Sequence, residues 1–379
     1  MISWTADQDA LRNGLGPWLH VLNDEHVELD ARAEFPRAKW EAVRRAGLLG
    51  LPIGERWGGL GQDLPTTMYV LEGLGEGCRD AGLNFSVTTH LVSTGIAVQR
   101  FGSPALRDRY LPDVASGAVI GAHAITEPDS GSDALAMRTR AVRDGDHFVL
   151  TGQKAFVSNG PVADVVVVYA RTSEQGGPLG VTAFLVERDT PGLVVGPPTA
   201  KMGLRTSPFG ELYLDGARVP AANVVGSVGG GFLVLDHVMK WEILCGFAVN
   251  AGEMRARVDR CREYARGRTQ FGRPIGTFQA VAHRIVDMEI GVRTARALLF
   301  GAAARMAAGA TVTTDIAVAK VVASEANLAS ALAAVQIFGG NGYTTEYGVE
   351  KELRNAVAGT IYSGTSETQR NRIAAMLGL

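Results

Sequence analysis

The spacing of apolar residues changes twice along the chain, and the changes divide it into three regions. From about residue 7 to 118, apolar positions recur at three- and four-residue intervals, as in WEAVRRAGLLGLP and TTMYVLEGLGEGC, punctuated by Gly and Pro. This spacing predicts a block of helices. From about 120 to 225 the period falls to two or to short β-branched runs, in HFVLTG, DVVVVYA, VTAFLVE and ELYLDGARV, separated by DGD, SEQGG and GPP turns. These predict a small β domain. Past GSVGGGF (Gly226 to Phe232) the helical period returns over 232–266, 279–309 and 312–338 and holds almost to the end. The expected fold is α+β and multidomain, with an N-terminal helical domain over 1–119, a central β domain over 120–228 and a C-terminal helical domain over 229–379. Cofactor pockets tend to form where such blocks meet.

Composition narrows the function. At 379 residues, with 46% apolar and 20% charged residues, the chain suits two or three packed domains and can bury a large site. A net charge of -2 gives no general electrostatic case for nucleic acid. Cys78, Cys245 and Cys261 are an odd number without CxxC or CxxH spacing, so neither a disulfide framework nor a metal site is indicated, and a reducing compartment is expected. The opening MISWTADQDALRNGLG lacks a basic segment followed by an apolar one, and no uninterrupted apolar run reaches ~18 residues. A cytoplasmic protein without membrane attachment is expected.

Four segments carry candidate chemistry, each with a plain structural alternative. AITEPDSGSD (Ala124 to Asp133) offers hydroxyls and close-approach amides to a phosphate or ring edge, or is a capped turn. TGQKAFVSNGPVAD (Thr151 to Asp164) puts Phe156 and Ser158 on one strand face, an aromatic and a hydroxyl suited to a planar cofactor, or an ordinary half-buried strand. RGRTQFGRPIGTFQ (Arg266 to Gln279) breaks a helix near Arg268 and Phe271; the guanidinium suits a pyrophosphate, in its own subunit or a neighbour, or the segment is a solvated helix end. In QIFGGNGYTTEYGVEKELRNA, Gly339, Gly340 and Gly342 predict a helix C-cap, and their number, with Gln336 before them, points to backbone pressed against a ligand.

A fifth feature comes from helical periodicity. Around Glu242, the residues one turn away are Val238, Met239, Cys245 and Gly246, with Leu235 and Val249 two turns away on the same side. A lone carboxylate in an apolar stripe is expected to have a raised pKa, as suits a base working near neutral pH. Gly246 costs helix stability, ~1 kcal/mol relative to Ala, so space beside Glu242 is expected. The alternative is an ion pair with an Arg or Lys from another helix.

In this order and at these spacings, the four segments resemble the acyl-CoA dehydrogenase family over essentially the whole chain. The resemblance implies a central β-barrel between an N-terminal helical domain and a C-terminal four-helix bundle, assembled as a homotetramer (dimer of dimers) or a dimer, with FAD bound between subunits. It implies that Ile125, Thr126 and Ser132 line the flavin and pyrophosphate, that Phe156 and Ser158 flank the ring, and that Arg268, Phe271, Gln336 and Gly340 hold FAD from the neighbouring subunit. Tyr362, Thr365 and Glu367 would complete the flavin and adenine contacts; the family often has Gln where this chain has Glu367. The implied reaction removes a proton alpha to an acyl thioester and transfers a hydride from the beta carbon to the flavin, with electrons passing to an electron-transfer flavoprotein or to oxygen.

Many family members carry the base as a Glu between the Tyr and Gly of the C-terminal segment, where this chain reads Ile361, Tyr362, Ser363, Gly364, Thr365. A neutral serine cannot do a carboxylate's work. A subset of the family carries its Glu on the helix before the RTQFG segment, and Glu242 falls at that position. The Trp241-Glu242 pair, the GTIYSGTS ending and the QAVAHRI segment resemble dehydrogenases that oxidise a prolyl group tethered to a peptidyl carrier protein toward a pyrrole-2-carboxyl unit, as in antibiotic biosynthesis. That route needs two oxidations. The alternatives are a short- or branched-chain acyl-CoA dehydrogenase of catabolism and a non-catalytic flavin-binding assembly subunit. Arg255, Arg257, Arg260, Arg262 and Arg266 would form a docking face for an acidic carrier or a solvated helix face.

Overall fold

The structure is a computed structural model in which residues 3–173 and 177–379 are described. Glu174, Gln175 and Gly176 of the predicted SEQGG turn lie outside the described residues. Only the helices used below are numbered: α1 (Leu64–Gly77), α2 (Ala81–Thr89), α3 (Pro104–Ser116), α4 (Gly231–Gly267), α5 (Gln279–Ala307), α6 (Thr313–Phe338), α7 (Val349–Gly359) and α8 (Ser366–Leu377). Their starts follow from local chemistry. Asp63, Asp80, Ser103 and Thr365 accept hydrogen bonds from the first-turn amides of α1, α2, α3 and α8, and Pro104 opens α3 where no amide donor is required.

Between the helical regions lie eight strands: β1 (Gly121–Ala124), β2 (Arg140–Asp144), β3 (His147–Ser158), β4 (Val165–Arg171), β5 (Val181–Glu187), β6 (Leu193–Val195), β7 (Phe209–Pro220) and β8 (Val224–Val225). They form one sheet in the order β6-β7-β3-β2-β4-β5-β8, with β1 added in parallel to β4. Alternate residues of β1, β3, β4, β5 and β7 share a single apolar core that includes Ala122, Leu150, Val168, Phe184 and Leu212, so the sheet curls about its own interior as the expected barrel does. The short strands β1, β2, β6 and β8 were not legible as separate elements.

The opposite face of β4 and β5, with Val165, Val167, Tyr169, Ala183 and Leu185, joins a second core shared with α1, α2 and α4. Here α4 is pressed unusually close to α1. A Cβ on Gly252 would lie 2.0 Å from the Glu72 carbonyl oxygen, and one on Gly75 would lie 2.0 Å from that of Val249. Only glycine permits this backbone approach.

The helix α2 runs on through a π-helical stretch, His90–Ile96, into Ala97–Phe101. Every residue of the stretch is buried, and it packs on β1. At the other end of the chain, α4, α5 and α6 form a bundle to which α7 and α8 add by packing on α6. By length and mean hydropathy (1.5) α6 could cross a membrane, but it carries Asp315, Lys320 and Glu325 and packs within the bundle.

Candidate active site

Glu242 lies in the fourth turn of α4, on the helix face that meets β1 and the loop before α8. Its Oε1 accepts a hydrogen bond from Ser363 Oγ at 2.5 Å, and its Oε2 stands 3.2 Å from His123 Nε2. The side chain is 18% exposed, so the carboxylate is largely enclosed but reachable. The partner is therefore a histidine from β1 and not the Arg or Lys weighed from sequence. The expected raised pKa is overturned as well. Burial pushes the carboxyl up, but the charge and hydrogen bond of His123 and the hydroxyl of Ser363 outweigh it, and the group is held below its ordinary value.

Ser363 thus points at the carboxylate of Glu242. Its backbone is in the left-handed region (φ 55), a costly conformation for a residue with a side chain, and Gly364 follows at φ 82. The turn is braced by Gln369, whose Nε2 donates to the Ser363 carbonyl at 2.9 Å.

Beside Glu242, a Cβ on Gly246 would meet no atom within 4 Å, so the space expected there exists. A cavity next to it is lined by Phe85, Thr88, Gly246, Asn250, Glu253 and Tyr362. Tyr362 fills much of this region, its ring 5.0 Å from Phe85 and 5.4 Å from Phe247 and its hydroxyl donating to Asn250 Oδ1 at 3.1 Å. Packed this way within its own chain, Tyr362 lines the cavity. Glu253, enclosed deeper along α4, is pushed up to about 7 by burial.

The other candidate residues fall into two groups on different domains. In the first, Ile125 and Thr126 pair with β3. The Ile125 carbonyl accepts from Lys154 Nζ at 3.0 Å, and that of Thr126 from the Ala155 amide at 2.8 Å. This places Thr126 beside Phe156, which is 64% exposed at φ 55, with Ser158 two residues on. Ser132 is exposed in the loop that follows. A buried ion pair missed in the sequence organises that loop: Lys154 Nζ to Glu127 Oε1 at 2.8 Å, with Glu127 also accepting from the Arg138 and Thr139 amides.

The second group sits at one end of the C-terminal bundle. Tyr264 stacks on Phe338 with centroids 4.0 Å apart, and its hydroxyl accepts from Asn341 Nδ2 at 3.0 Å. This staples the end of α4, with Arg268 and Phe271 just beyond, to the end of α6, with Gln336 and Gly340. Arg268, Gln336 and Gly340 are exposed, and Phe271 is 94% exposed at φ 50. Gly339 is the predicted C-cap, at φ 60. Thr365 caps α8 through the Thr368 amide, and Glu367 is exposed in the first turn.

The arginine face of α4 is solvated only in part, with Arg262 and Arg266 exposed and Arg257 enclosed. Arg257 is 3% exposed and, with Arg260, converges on Glu352; Arg255 pairs with Glu289 at 2.6 Å and Arg262 with Asp259 at 2.9 Å. Arg257 is an interior strut between α4, α6 and α7, neither solvated nor free for a carrier. Repeated charges along a helix report a helix surface, not which neighbour covers it.

Comparison with known proteins accounts for the same architecture. The family description of the acyl-CoA dehydrogenase N-terminal domain matches residues 5–118, that of the middle domain 122–217 and that of the C-terminal domain 229–378. An L-prolyl peptidyl-carrier protein dehydrogenase of Pseudomonas fluorescens is 41% identical over 346 residues, covering 91% of each chain. The crystal structure of the prolyl acyl carrier protein oxidase AnaB superposes with a TM-score of 0.97 at 37% identity over 100% of both chains. PigA with FAD and proline gives 0.97 at 34% identity, covering 100% of this chain and 99% of PigA. With three domain matches in order and this identity over nine-tenths of its length, the chain belongs to the acyl-CoA dehydrogenase family.

Proposed function

We propose that this chain is an FAD-dependent dehydrogenase of acyl thioesters whose substrate is an L-prolyl group tethered to a peptidyl carrier protein, with Glu242 as the base. The observation that carries the reading is the enclosed Glu242 carboxylate, held by Ser363 at the position where other family members place their own Glu. Two further findings support the prolyl substrate. The relatives just described act on prolyl-carrier thioesters, and Tyr362, Phe85 and Phe247 crowd the space beyond Gly246, which suits a compact ring better than an extended acyl chain.

The residues present fit FAD. Phe156 offers a mostly uncovered aromatic ring, with Thr126 paired to its neighbour Ala155 and Ser158 two residues on, for a flat ring with a polar edge. Arg268 and the glycine turn at Gly339 and Gly340, where added Cβ atoms would meet nothing within 4 Å, suit a diphosphate. When bound, FAD supplies the acceptor for the beta hydride. The chain's own part is to hold the thioester against α4, exclude water and take the alpha proton on Glu242. Phe271, Val286, Ile290 and Leu332 are apolar and exposed on the C-terminal domain, which supports a homotetramer, a dimer of dimers, in which a neighbour covers them. Electrons would leave to an electron-transfer flavoprotein or to oxygen, and the protein would work in the cytoplasm.

Phe156→Ala is expected to weaken FAD binding about tenfold, the value of one good aromatic stack, without lowering thermal stability, because the ring is mostly exposed. Titration of the apoprotein with FAD measures it.

Substrate choice is tested by anaerobic mixing of the FAD-loaded protein with L-prolyl-carrier protein, butyryl-CoA, isobutyryl-CoA and isovaleryl-CoA while flavin bleaching is followed. The prolyl thioester is expected to bleach the flavin ~10²-fold faster than the others. Fastest bleaching by an acyl-CoA would establish a catabolic enzyme instead, and no bleaching by any thioester would establish an assembly subunit.

A further inference from the structure

Glu242 is held by two groups of different mobility. Ser363 Oγ can swing about its Cα–Cβ bond. His123 projects from a backbone that is itself held, because β1 is tied along both edges. The Gly121 amide donates to His90 Nδ1 at 2.9 Å, Thr94 Oγ1 donates to the Ala122 carbonyl at 3.2 Å, and Asn159 Nδ2 donates to the Gly121 carbonyl at 3.3 Å. Four residues in register with β4 fix the other side, and a Cβ on Gly121 would come within 2.3 Å of Thr94 Oγ1. Since His90 Nδ1 accepts, its Nε2 must carry the proton given to the Val114 carbonyl, a neutral state that burial also enforces by lowering the pKa to about 4.

We infer that His123 is a positioning residue for proton abstraction, pinning Oε2 of Glu242 through its Nε2–H so that Oε1 is the oxygen turned to the substrate. The inference rests on Glu242 being the base. Facing a carboxylate, Nε2 must be the protonated nitrogen of His123, which leaves Nδ1 as a buried atom without a hydrogen-bond partner among the described residues. In the reaction, the carbon–hydrogen bond alpha to the thioester breaks and its proton goes to Oε1. Ser363 Oγ turns aside to admit it, the electron pair enters the new carbon–carbon double bond as the beta hydride departs, and Oε2 stays on His123 throughout. The groups facing Glu242 are His123 from β1, Tyr169 from β4, and Ser363 and Tyr362 from the loop before α8. Tyr169 is fully buried, its hydroxyl without a hydrogen-bond partner among the described residues; it lies two residues beyond Val167, the register partner of His123, and so on the same face. Of these four, His123 alone can carry a positive charge.

The test compares His123→Phe and His123→Gln with the unaltered FAD-loaded protein in single-turnover flavin reduction across pH, alongside a carboxyl ¹³C NMR titration of Glu242. The Phe variant is expected to lose ~10–10²-fold in rate with little change in substrate KM, as expected for a misaimed base. The acid limb of its kcat/KM profile and the NMR titration should both move to higher pH. The Gln variant, which restores a nitrogen donor, is expected to recover most of the rate. Should the Phe variant fail to fold, His123→Asn, whose amide is too short to reach Oε2, takes its place. An unshifted titration and full rate in the Phe or Asn variant would reduce His123 to a space-filler, as would a Gln variant no better than Phe. Failure of the base assignment reads differently: Glu242→Gln would itself turn over normally.

Discussion

Glu242→Gln is expected to lower the rate of flavin reduction ~10²–10⁴-fold, equivalent to ~3–5 kcal/mol of barrier, and to leave FAD binding unchanged. Glutamine keeps the volume and can keep both hydrogen bonds to Ser363 and His123, so the fold has no reason to shift. What it loses is the capacity to take a proton. FAD binding is spared because the groups proposed to hold it, Phe156 with Thr126 and Arg268 with Gly340, lie on other elements. Ser363→Ala is the matched control. It removes one hydrogen bond to a carboxylate and leaves the base in place, so a loss of about tenfold is expected. Rapid-mixing traces of the two variants decide the matter: a normal Glu242→Gln beside a dead Ser363→Ala would move the chemistry to the C-terminal loop.

Gly252→Ala is expected to destabilise the protein by ~3 kcal/mol, at the upper end for overpacking, because the new methyl would sit 2.0 Å from the Glu72 carbonyl oxygen and 2.7 Å from the Glu76 amide. Backbone atoms cannot rotate aside, so α1 and α4 must separate. The ~1 kcal/mol that alanine gains over glycine in a helix does not offset this. Gly246→Ala, six residues earlier on the same helix, has the opposite sign. Its methyl meets no atom within 4 Å, and the helix gains up to ~1 kcal/mol. It does narrow the space beside Glu242, so turnover should fall as stability rises. Thermal melts of the two variants check the contrast, and equal melting points would mean that the two helices can part without cost.

Long elements were legible because their periodicity extends over many residues. The three long helices α4, α5 and α6 end within about two residues of the spans read from spacing, and β3, β4, β5 and β7 each follow their alternating or β-branched runs. Strands of two to five residues, such as β1 and β8, carry too few positions for a period to register. Glu242 could be singled out because its apolar neighbours lie on its own helix. His123 could not, because what makes it matter is the approach of β1 to α4 across more than a hundred residues of chain. The direction of the Glu242 pKa was missed for the same reason: burial is visible in a helix pattern, but the imidazole and hydroxyl that outweigh it are not. Arg257 shows the converse, a charged residue that reads as surface until α6 and α7 close over it.

The π-helical stretch His90–Ile96 bears on how the protein tolerates changes in chain length. A π turn closes its hydrogen bonds over one residue more than an α turn, so it is the one place in the rod from Ala81 to Phe101 where a residue could be lost and both flanks remain helical. Such a deletion would look harmless by helical content. It would nevertheless turn His90 and Thr94 relative to one another, release Gly121 and Ala122, and free β1 to slide. The stretch acts as a tuning peg: its extra residue sets the tension on a strand whose far end carries the imidazole at Glu242.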